Sequence, residues 1–457
     1  MEIHVGTLKS KIITDNPKLL EAFYELYGFD VPGKHYVTAY KKRQWDGKKR
    51  YFKRNGEFRT GLLPRILNDL NKIDAKPTIK SDRNSEQLEL KTVKKFKYFD
   101  YQEEAINHIL QNKRGIIESP VGSGKTLIMA GLIQSLAPRK IVVMFREKGI
   151  LRQTYEFFKS CGIKSLGINF GEGYIYGDVM LTTVQSIEKI LDTHLEEAGA
   201  LIIDEAHQFC KGETTVAAIE AFPNAVYRAA FTATVPSEKG DIHGRLTLEG
   251  AFGEVFSTKT TDDLVKDGKL AKPIIQIIQY APSGDFEGKT YHELYESHIV
   301  DSVERNAKIK IVIDNIIESN PKAKILILVK NLRHLQTLAG MVDNVYVVQG
   351  DDDISDRYDK IERFIADQKA AIIIGTNVMQ TGININEITH MINARGLEGE
   401  IPTIQGLGRG LRVTKDKTTL YFYDFYDKVP YLEKHSKSRI NHYEKLKFEI
   451  NYVRLDP

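Results

Sequence analysis

The sequence predicts an α/β protein: two tandem domains, each on a parallel sheet, behind a small basic α+β domain. Three observations lead there. Between about residues 96 and 260 apolar strand-like runs alternate with helical stretches, and the alternation restarts between about 261 and 430. That is the pattern of parallel sheets with helices on both faces. A composition shift at 71–97 (Asn71-Lys72-Ile73-Asp74-Ala75-Lys76-Pro77, then Lys94-Lys95-Phe96-Lys97) reads as a linker. Residues 1–95 hold 21 Lys and Arg against 12 Asp and Glu, a surplus of nine, so in a chain of net charge +4 the remainder is five negative. A basic accessory domain fused to a slightly acidic pair is the expectation.

Length and composition agree with it. A chain of 457 residues can build at least two full cores. With 42% hydrophobic and 28% charged residues it is ordinary for a globular protein, and no apolar run approaches a membrane span. The first residues, Met1-Glu2-Ile3-His4, lack a secretory leader's basic-then-apolar pattern. Cys161 and Cys210 make neither a disulfide framework nor a metal-ligand spacing, which fits a reducing cytoplasm. The expected division is 1–95, 96–260, 261–430 and a helical tail at 431–457.

Within the basic domain, residues 41–54 read K-K-R-Q-W-D-G-K-K-R-Y-F-K-R, eight basic residues in fourteen. Lys41, Lys42, Arg43, Lys48, Lys49 and Arg50 are suited to nucleic-acid phosphates, whose counterions they would release. Trp45, Tyr51 and Phe52 either stack on bases or form a small core. Asp46-Gly47 reads as a hairpin turn between β-forming flanks.

In the next domain a short apolar run, Gly115 to Glu118, leads into Ser119-Pro-Val-Gly-Ser-Gly-Lys-Thr126 and then an apolar-periodic stretch from Leu127. Strand, Gly-rich loop and helix are what a phosphate-binding loop requires. Gly122 and Gly124 let backbone N–H groups approach phosphates at a helix N-terminus, with Ser119 and Ser123 completing the loop. Lys125 would sit on the β- and γ-phosphates of ATP, and Thr126 would place its hydroxyl on Mg²⁺. Ile141 to Phe145, Val179 to Leu181 and Leu201 to Ile203 are strands; Gly149 to Lys159 and Val184 to Leu191 are helices. Asp204-Glu205-Ala206-His207 follows the last strand, where a sheet's C-terminal edge places ligand groups. Asp204 would hold Mg²⁺, Glu205 would orient and deprotonate water, and His207 would report the nucleotide state.

The second domain has strands at Lys324 to Val329, Val345 to Val348, Ala370 to Gly375 and Thr389 to Asn393, a helix at Ser355 to Gln368, and Leu420 to Phe425 closing its sheet. No second phosphate loop occurs there. Gln405-Gly-Leu-Gly-Arg409-Gly-Leu-Arg412 fits Q-x-x-G-R-x-x-R, with two arginines three apart on one helix face. Such guanidinium groups stabilise charge that develops on a γ-phosphate. Lys125, Glu205, Gln405, Arg409 and Arg412 form the expected catalytic set.

These motifs together resemble the superfamily 2 helicases from Phe99 to about Phe425. Within that family the resemblance is nearest to phage recombination helicases. Phe252-Gly253-Glu254-Val255-Phe256, Asp267-Gly268-Lys269-Leu270, Gly288-Lys289-Thr290-Tyr291, Arg305-Asn306 and Trp45-Asp46-Gly47 carry it. The resemblance implies two RecA-like domains, with Gln102 recognising adenine. It implies Arg146, Thr182, Thr183, Gln185, Thr376 and Gly382 on a nucleic-acid strand, and Thr232 and Thr234 coupling hydrolysis to movement. It implies ATP-driven unwinding or branch migration of DNA at forks, four-way junctions and single strands, in the host cytoplasm if the chain is phage-encoded. An RNA helicase and a nucleotide-switched clamp that does not unwind are the alternatives.

Overall fold

The computed structural model of the protein describes residues 1–81, 86–170, 173–190, 192–210, 212–284, 286–350, 352–376, 385–398, 410–414 and 417–455. It divides into two compact units, Met1–Ser119 with Gly124–Thr258, and Pro120–Ser123 with Lys259–Pro457.

Besides the two-stranded antiparallel pair Gly28–Asp30 with Lys48–Arg50, the described residues of the first unit form two larger sheets. The smaller has four strands in the order Glu57–Arg59, Lys9–Ile13, Glu2–Val5, Thr78–Ser81. Its neighbours are antiparallel except Glu2–Val5 with Thr78–Ser81, which run parallel. Burial alternates along Lys9–Ile13, so Ser10 and Ile12 face inward, as one-sided strands require. Two helices cover that face. Pro17–Leu26 starts at Pro17 with Asn16 Oδ1 accepting from Leu19 N at 3.2 Å, a start that suits both residue types. Leu63–Asn71 buries Ile66 and Leu70. Because Thr78–Ser81 belongs to this sheet, the expected linker starts later than composition suggested. The segment between the two sheets is also tied down: Leu88, Leu90 and Val93 pack on the neighbouring core, and Lys94 N donates to Cys161 O.

The larger sheet has eight strands in the order Gly173–Ile175, Leu166–Phe170, Val179–Thr183, Ile141–Phe145, Ala200–Ile203, Tyr227–Thr232, Arg114–Glu118, Val255–Ser257. All neighbours are parallel except the first two. Ile141–Phe145 and Ala200–Ile203 are buried at every position, so they read as continuous apolar runs rather than alternating ones. Helices Asp100–Asn112, Lys125–Leu136 and Lys148–Ser160 build one apolar layer; Glu213–Glu220 and Ile242–Phe252 build the other. The helix expected at Val184 to Leu191 is a 3₁₀ segment, Val184–Lys189. Cys161 and Cys210 are buried and not joined in a disulfide.

The second unit has one parallel seven-stranded sheet: Val345–Val348, Ala371–Gly375, Lys324–Leu328, His390–Asn393, Thr419–Asp427, Lys272–Tyr280, Glu449–Val453. Two expectations are corrected. Thr419–Asp427 does not close the sheet; it lies inside, paired along nine residues with Lys272–Tyr280. The tail is not wholly helical: after helix Leu432–Lys445 the chain adds the edge strand Glu449–Val453. Buried ion pairs join these elements and helix Val303–Ser319, Arg305 to Asp427 and Arg439 to Asp424, each at 2.8 Å. Among the described residues no helix is long and apolar enough to cross a membrane.

Candidate nucleotide site and nucleic-acid face

The strand Arg114–Glu118 delivers the chain into the loop 119–124, and the helix Lys125–Leu136 leaves it. Gly122 and Gly124 have φ of 85° and 84°, a region other residues enter only at a cost. A Cβ on Gly124 would stand 2.5 Å from the Gln102 amide nitrogen. Gln102 is 2% exposed, and its Oε1 accepts from Phe99 N at 3.0 Å. The residue expected to face adenine thus also braces the phosphate loop and fastens the start of its own helix. Ser119 N donates to Thr232 O on the neighbouring strand. Lys125 Nζ donates to Ser119 O at 3.1 Å, and the buried Ser123 hydroxyl to Pro120 O at 2.6 Å. Thr126 is half-buried in the first helical turn.

Ala200–Ile203 ends two strands away, and there the acidic pair stands. Asp204 Oδ1 accepts from Glu205 N at 2.9 Å. Burial and the neighbouring Glu205 hold the Asp204 carboxyl well above the usual carboxylate range, while Lys125 pulls it down. Glu205 sits in the left-handed region at φ 49°, strained backbone of the kind active sites retain. Its Oε2 is buried and makes no hydrogen bond. His207 Nδ1 lies 3.5 Å from that oxygen and 3.0 Å from Thr232 Oγ1. Thr232 Oγ1 donates to Thr234 O at 2.9 Å and accepts from Thr234 N. With that hydroxyl proton spent, Nδ1–H of His207 is the donor to Thr232. Burial lowers the His207 pKa, which keeps the ring neutral. Acid pair, imidazole and hydroxyl motif therefore form one line of contacts across adjacent strand ends.

In the second unit, Gln405, Arg409 and Gly382 lie outside the described residues. Arg412 is half-buried and lies in a β-bridge to Leu270 rather than on the expected helix face; its Nη1 donates to Asn386 Oδ1 at 3.4 Å. Beside it, Lys417 is 4% exposed and its ammonium donates to Asn386 O, Ile388 O and Gly410 O at 2.6, 2.9 and 2.9 Å. Sequence reading missed Lys417, because a buried lysine looks like a surface one until its carbonyl partners are known. Thr376 is half-buried just after strand Ala371–Gly375.

The expected nucleic-acid residues divide sharply. Thr182 and Thr183 are fully buried, their hydroxyls turned to Thr183 O and Ser186 Oγ. A direct side-chain grip by this pair is corrected: they end a strand packed on both faces. Gln185 is the exposed member, and Arg146 is exposed while donating to Thr215 Oγ1 at 3.0 Å.

In the N-terminal domain Lys48 and Arg50 pair with Glu25 at 3.2 and 3.0 Å, Arg50 also pairs with Asp46, and Arg54 pairs with Glu21 at 2.9 Å. Arg50 and Arg54 both stack on Tyr24. Half of the basic run is thus neutralised by acids, chiefly those of helix Pro17–Leu26, which lie too far off in sequence to be anticipated. Lys41, Lys42, Arg43 and Lys49 are exposed. Tyr51 and Phe52 are core residues at 8% and 0% exposure, which resolves the open choice for both. Asp46-Gly47 is not a hairpin turn: Lys48–Arg50 pairs with Gly28–Asp30, and the preceding Thr38–Lys41 is helical.

Residues 95–237 match the family model for the res subunit of type III restriction enzymes, and residues 307–414 match the helicase conserved C-terminal domain. The chain is similar to the ATP-dependent DNA helicase uvsW of Enterobacteria phage T4, 25% identical over 94% of this chain and 95% of that one. It is also similar to the DNA 3'-5' translocase XPB2 of Sulfurisphaera tokodaii, 22% identical over 70% of this chain and 80% of that one. Dbp5 of S. cerevisiae, solved with RNA and ADP BeF3, shares the fold at a TM-score of 0.57 and 14% identity, covering 86% of this chain and 93% of that one.

Proposed function

We propose that this chain, an ATP-hydrolysing superfamily 2 helicase with two RecA-like motor domains, spends that hydrolysis on separating or branch-migrating DNA at forks and four-way junctions. The observation that carries the catalytic part is the line of contacts from Asp204 and Glu205 through His207 to Thr232 and Thr234. Glu205 is the base, a reading its buried Oε2, which makes no hydrogen bond, supports: that oxygen can take a proton from water. Lys125 and the loop N–H groups hold the phosphates. His207 passes the occupancy of the site to Thr232, and so to the segment after strand Tyr227–Thr232.

The acidic pair fits a divalent cation. Two carboxylates stand side by side, burial disfavours the charge of Asp204, and one oxygen of Glu205 has no donor. Asp204 and Thr126 would hold Mg²⁺ there; bound, the ion supplies charge neutralisation for the phosphates. Arg409 and Arg412 would add positive charge for the transferred phosphoryl group. Arg146, Gln185, Thr376 and Gly382 would follow one DNA strand, and Lys41, Lys42, Arg43 and Lys49 would take phosphates of the branched substrate. The setting would be the cytoplasm of an infected bacterium.

The test is ATP-dependent strand displacement on a fork, a four-way junction, a blunt duplex and RNA, measured beside ATPase. Activity on the fork and junction, lost in Glu205→Gln, is the expected result. Displacement of RNA alone, or DNA-stimulated ATPase with no displacement, would overturn it in favour of an RNA helicase or a clamp.

A further inference from the structure

A cavity of about 570 Å³ opens on the N-terminal domain, lined by His35, Tyr40, Lys41, Arg43, Gln44, Trp45 and Asp46. We infer that it receives the base of one unpaired nucleotide, so that the domain reads the branch by the base that leaves the duplex. The inference rests on the DNA reading above and assigns it a subsite.

The walls are built for a flat ring. The Trp45 indole N–H is spent on Lys48 O at 2.9 Å, which fixes the ring and leaves its faces as contact surface. Tyr40 stands edge-on to Trp45 (centroids 6.5 Å apart, 77°) and to His35 (5.2 Å, 85°). Gly47 makes room for Tyr40: a Cβ there would lie 2.9 Å from two of its ring carbons. Aromatic faces stack on any base, and a base still paired in a duplex cannot enter.

Charge is placed to match. Within 41–54 the ion pairs to Glu21, Glu25, Asp46 and Glu57 consume Lys48, Arg50, Lys53 and Arg54. The exposed Lys41, Lys42 and Arg43 sit at the cavity or beside it in sequence. Asp46 would repel a phosphate, but the Arg50 guanidinium faces it at 2.5 Å. Arg43 follows helix Thr38–Lys41 at the left-handed position, φ 55°, with its N–H on Tyr40 O at 3.0 Å. Glycine is the favoured residue at such a helix end. The chain keeps an exposed arginine there instead, on the lining of the aromatic cavity.

Trp45 is the sole tryptophan of the chain, so tryptophan emission, excited beyond the tyrosine absorption band, reports this cavity alone. Full-length protein is titrated without nucleotide against a blunt duplex and the same duplex carrying one unpaired flap nucleotide. Emission is read beside the anisotropy of a label on the DNA. The expected result is quenching by the flap substrate and little by the blunt one. Tyr40→Ala should weaken flap binding about tenfold and leave blunt-duplex binding unchanged. Arg43→Gly should weaken flap binding severalfold while raising the melting temperature, since glycine relieves the left-handed backbone. A merely structural Arg43 would not split the two readouts that way. Equal quenching by both duplexes, DNA binding with silent emission, or unchanged flap affinity in both variants would overturn the subsite. Absence of any anisotropy change would instead overturn the DNA reading beneath it.

Discussion

Lys417→Met is the perturbation whose size can best be worked from the structure. The ammonium of Lys417 donates to three backbone carbonyls, Asn386 O, Ile388 O and Gly410 O, at 2.6 to 2.9 Å. Two of them follow the Thr376–Gly382 loop, and the third lies inside the Q-x-x-G-R-x-x-R octet. Methionine nearly fills the volume but donates nothing. Each buried carbonyl left without its donor costs about 1–3 kcal/mol. Relief of the buried charge offsets part of that, so the low end, about 3 kcal/mol for the three, is expected. For a unit of this size that is a fall in melting temperature of roughly 6–12 °C. Arg412 loses its mooring as well, because Asn386 is both its partner and a Lys417 acceptor. Turnover should therefore drop while the KM for ATP changes little.

Burial also depresses the Lys417 pKa, from 10.5 to about 8. Between those values the unfolded chain binds a proton that the folded chain does not, so this group's contribution to stability rises with pH there. Methionine does not titrate. The stability gap between wild type and Lys417→Met should therefore widen from pH 8 toward pH 10 in calorimetric melting. A variant that melts with wild type and turns over at the same rate would refute the clamp. A gap that narrows across that window would refute the depressed pKa.

Other outcomes rest on the same geometry. Glu205→Gln should abolish turnover and spare nucleotide binding, whereas Lys125→Ala should weaken binding itself; nucleotide titration beside ATPase separates them. Arg412→Ala should lower kcat by roughly 10³-fold if it acts on the phosphates, and unchanged DNA-stimulated ATPase would leave it a structural role. Gly61→Ala places a Cβ against Glu249 O and 2.7 Å from Gly250 O and Gly253 N, all backbone. The N-terminal domain should then loosen by about 1–3 kcal/mol, seen as faster proteolytic release of residues 1–81; a wild-type digestion rate would contradict it.

The parts legible in the sequence are those whose chemistry is local. A phosphate loop needs its glycines, lysine and threonine within eight consecutive residues, and Asp204 to His207 need only the strand before them. Strand identity was also readable where both faces are buried, as in Ile141–Phe145. Sheet order was not, because parallel neighbours are distant in sequence. Glu449–Val453 is mostly exposed at the sheet's edge and so has no apolar signature. The basic run misled for a related reason. Its charges were counted without Glu21 and Glu25, which arrive from a helix more than twenty residues away and neutralise much of it. Tyr51 and Phe52 were ambiguous until their partners Phe23, Tyr27 and Phe58 were in place.

Those nonlocal contacts also change what the N-terminal domain can be. Helix Ile242–Phe252 begins eight residues after Thr234 and carries the docking surface for that domain. Leu246 is fully buried in the N-terminal core, a burial worth about 1.5–3 kcal/mol. His243 bonds the Tyr51 hydroxyl and Asp30 O, at 3.1 and 2.9 Å. Glu249, 6% exposed, lies between Arg65 and Arg245, and Arg114 reaches Thr7 O. Such a domain is not a tethered module. Cutting away residues 1–95 would leave Leu246 bare and the Glu249 carboxylate with Arg245 alone, so a truncated motor would fail for reasons unrelated to DNA. Point changes at Tyr40 and Arg43, which leave Leu246 and Glu249 covered, are the cleaner probe of substrate choice. The seam has a mechanical consequence too. Under the proposed coupling, a displacement of Thr232 and Thr234 by His207 on hydrolysis would reach the helix through a short connection, and the N-terminal domain would travel with the helix that holds it.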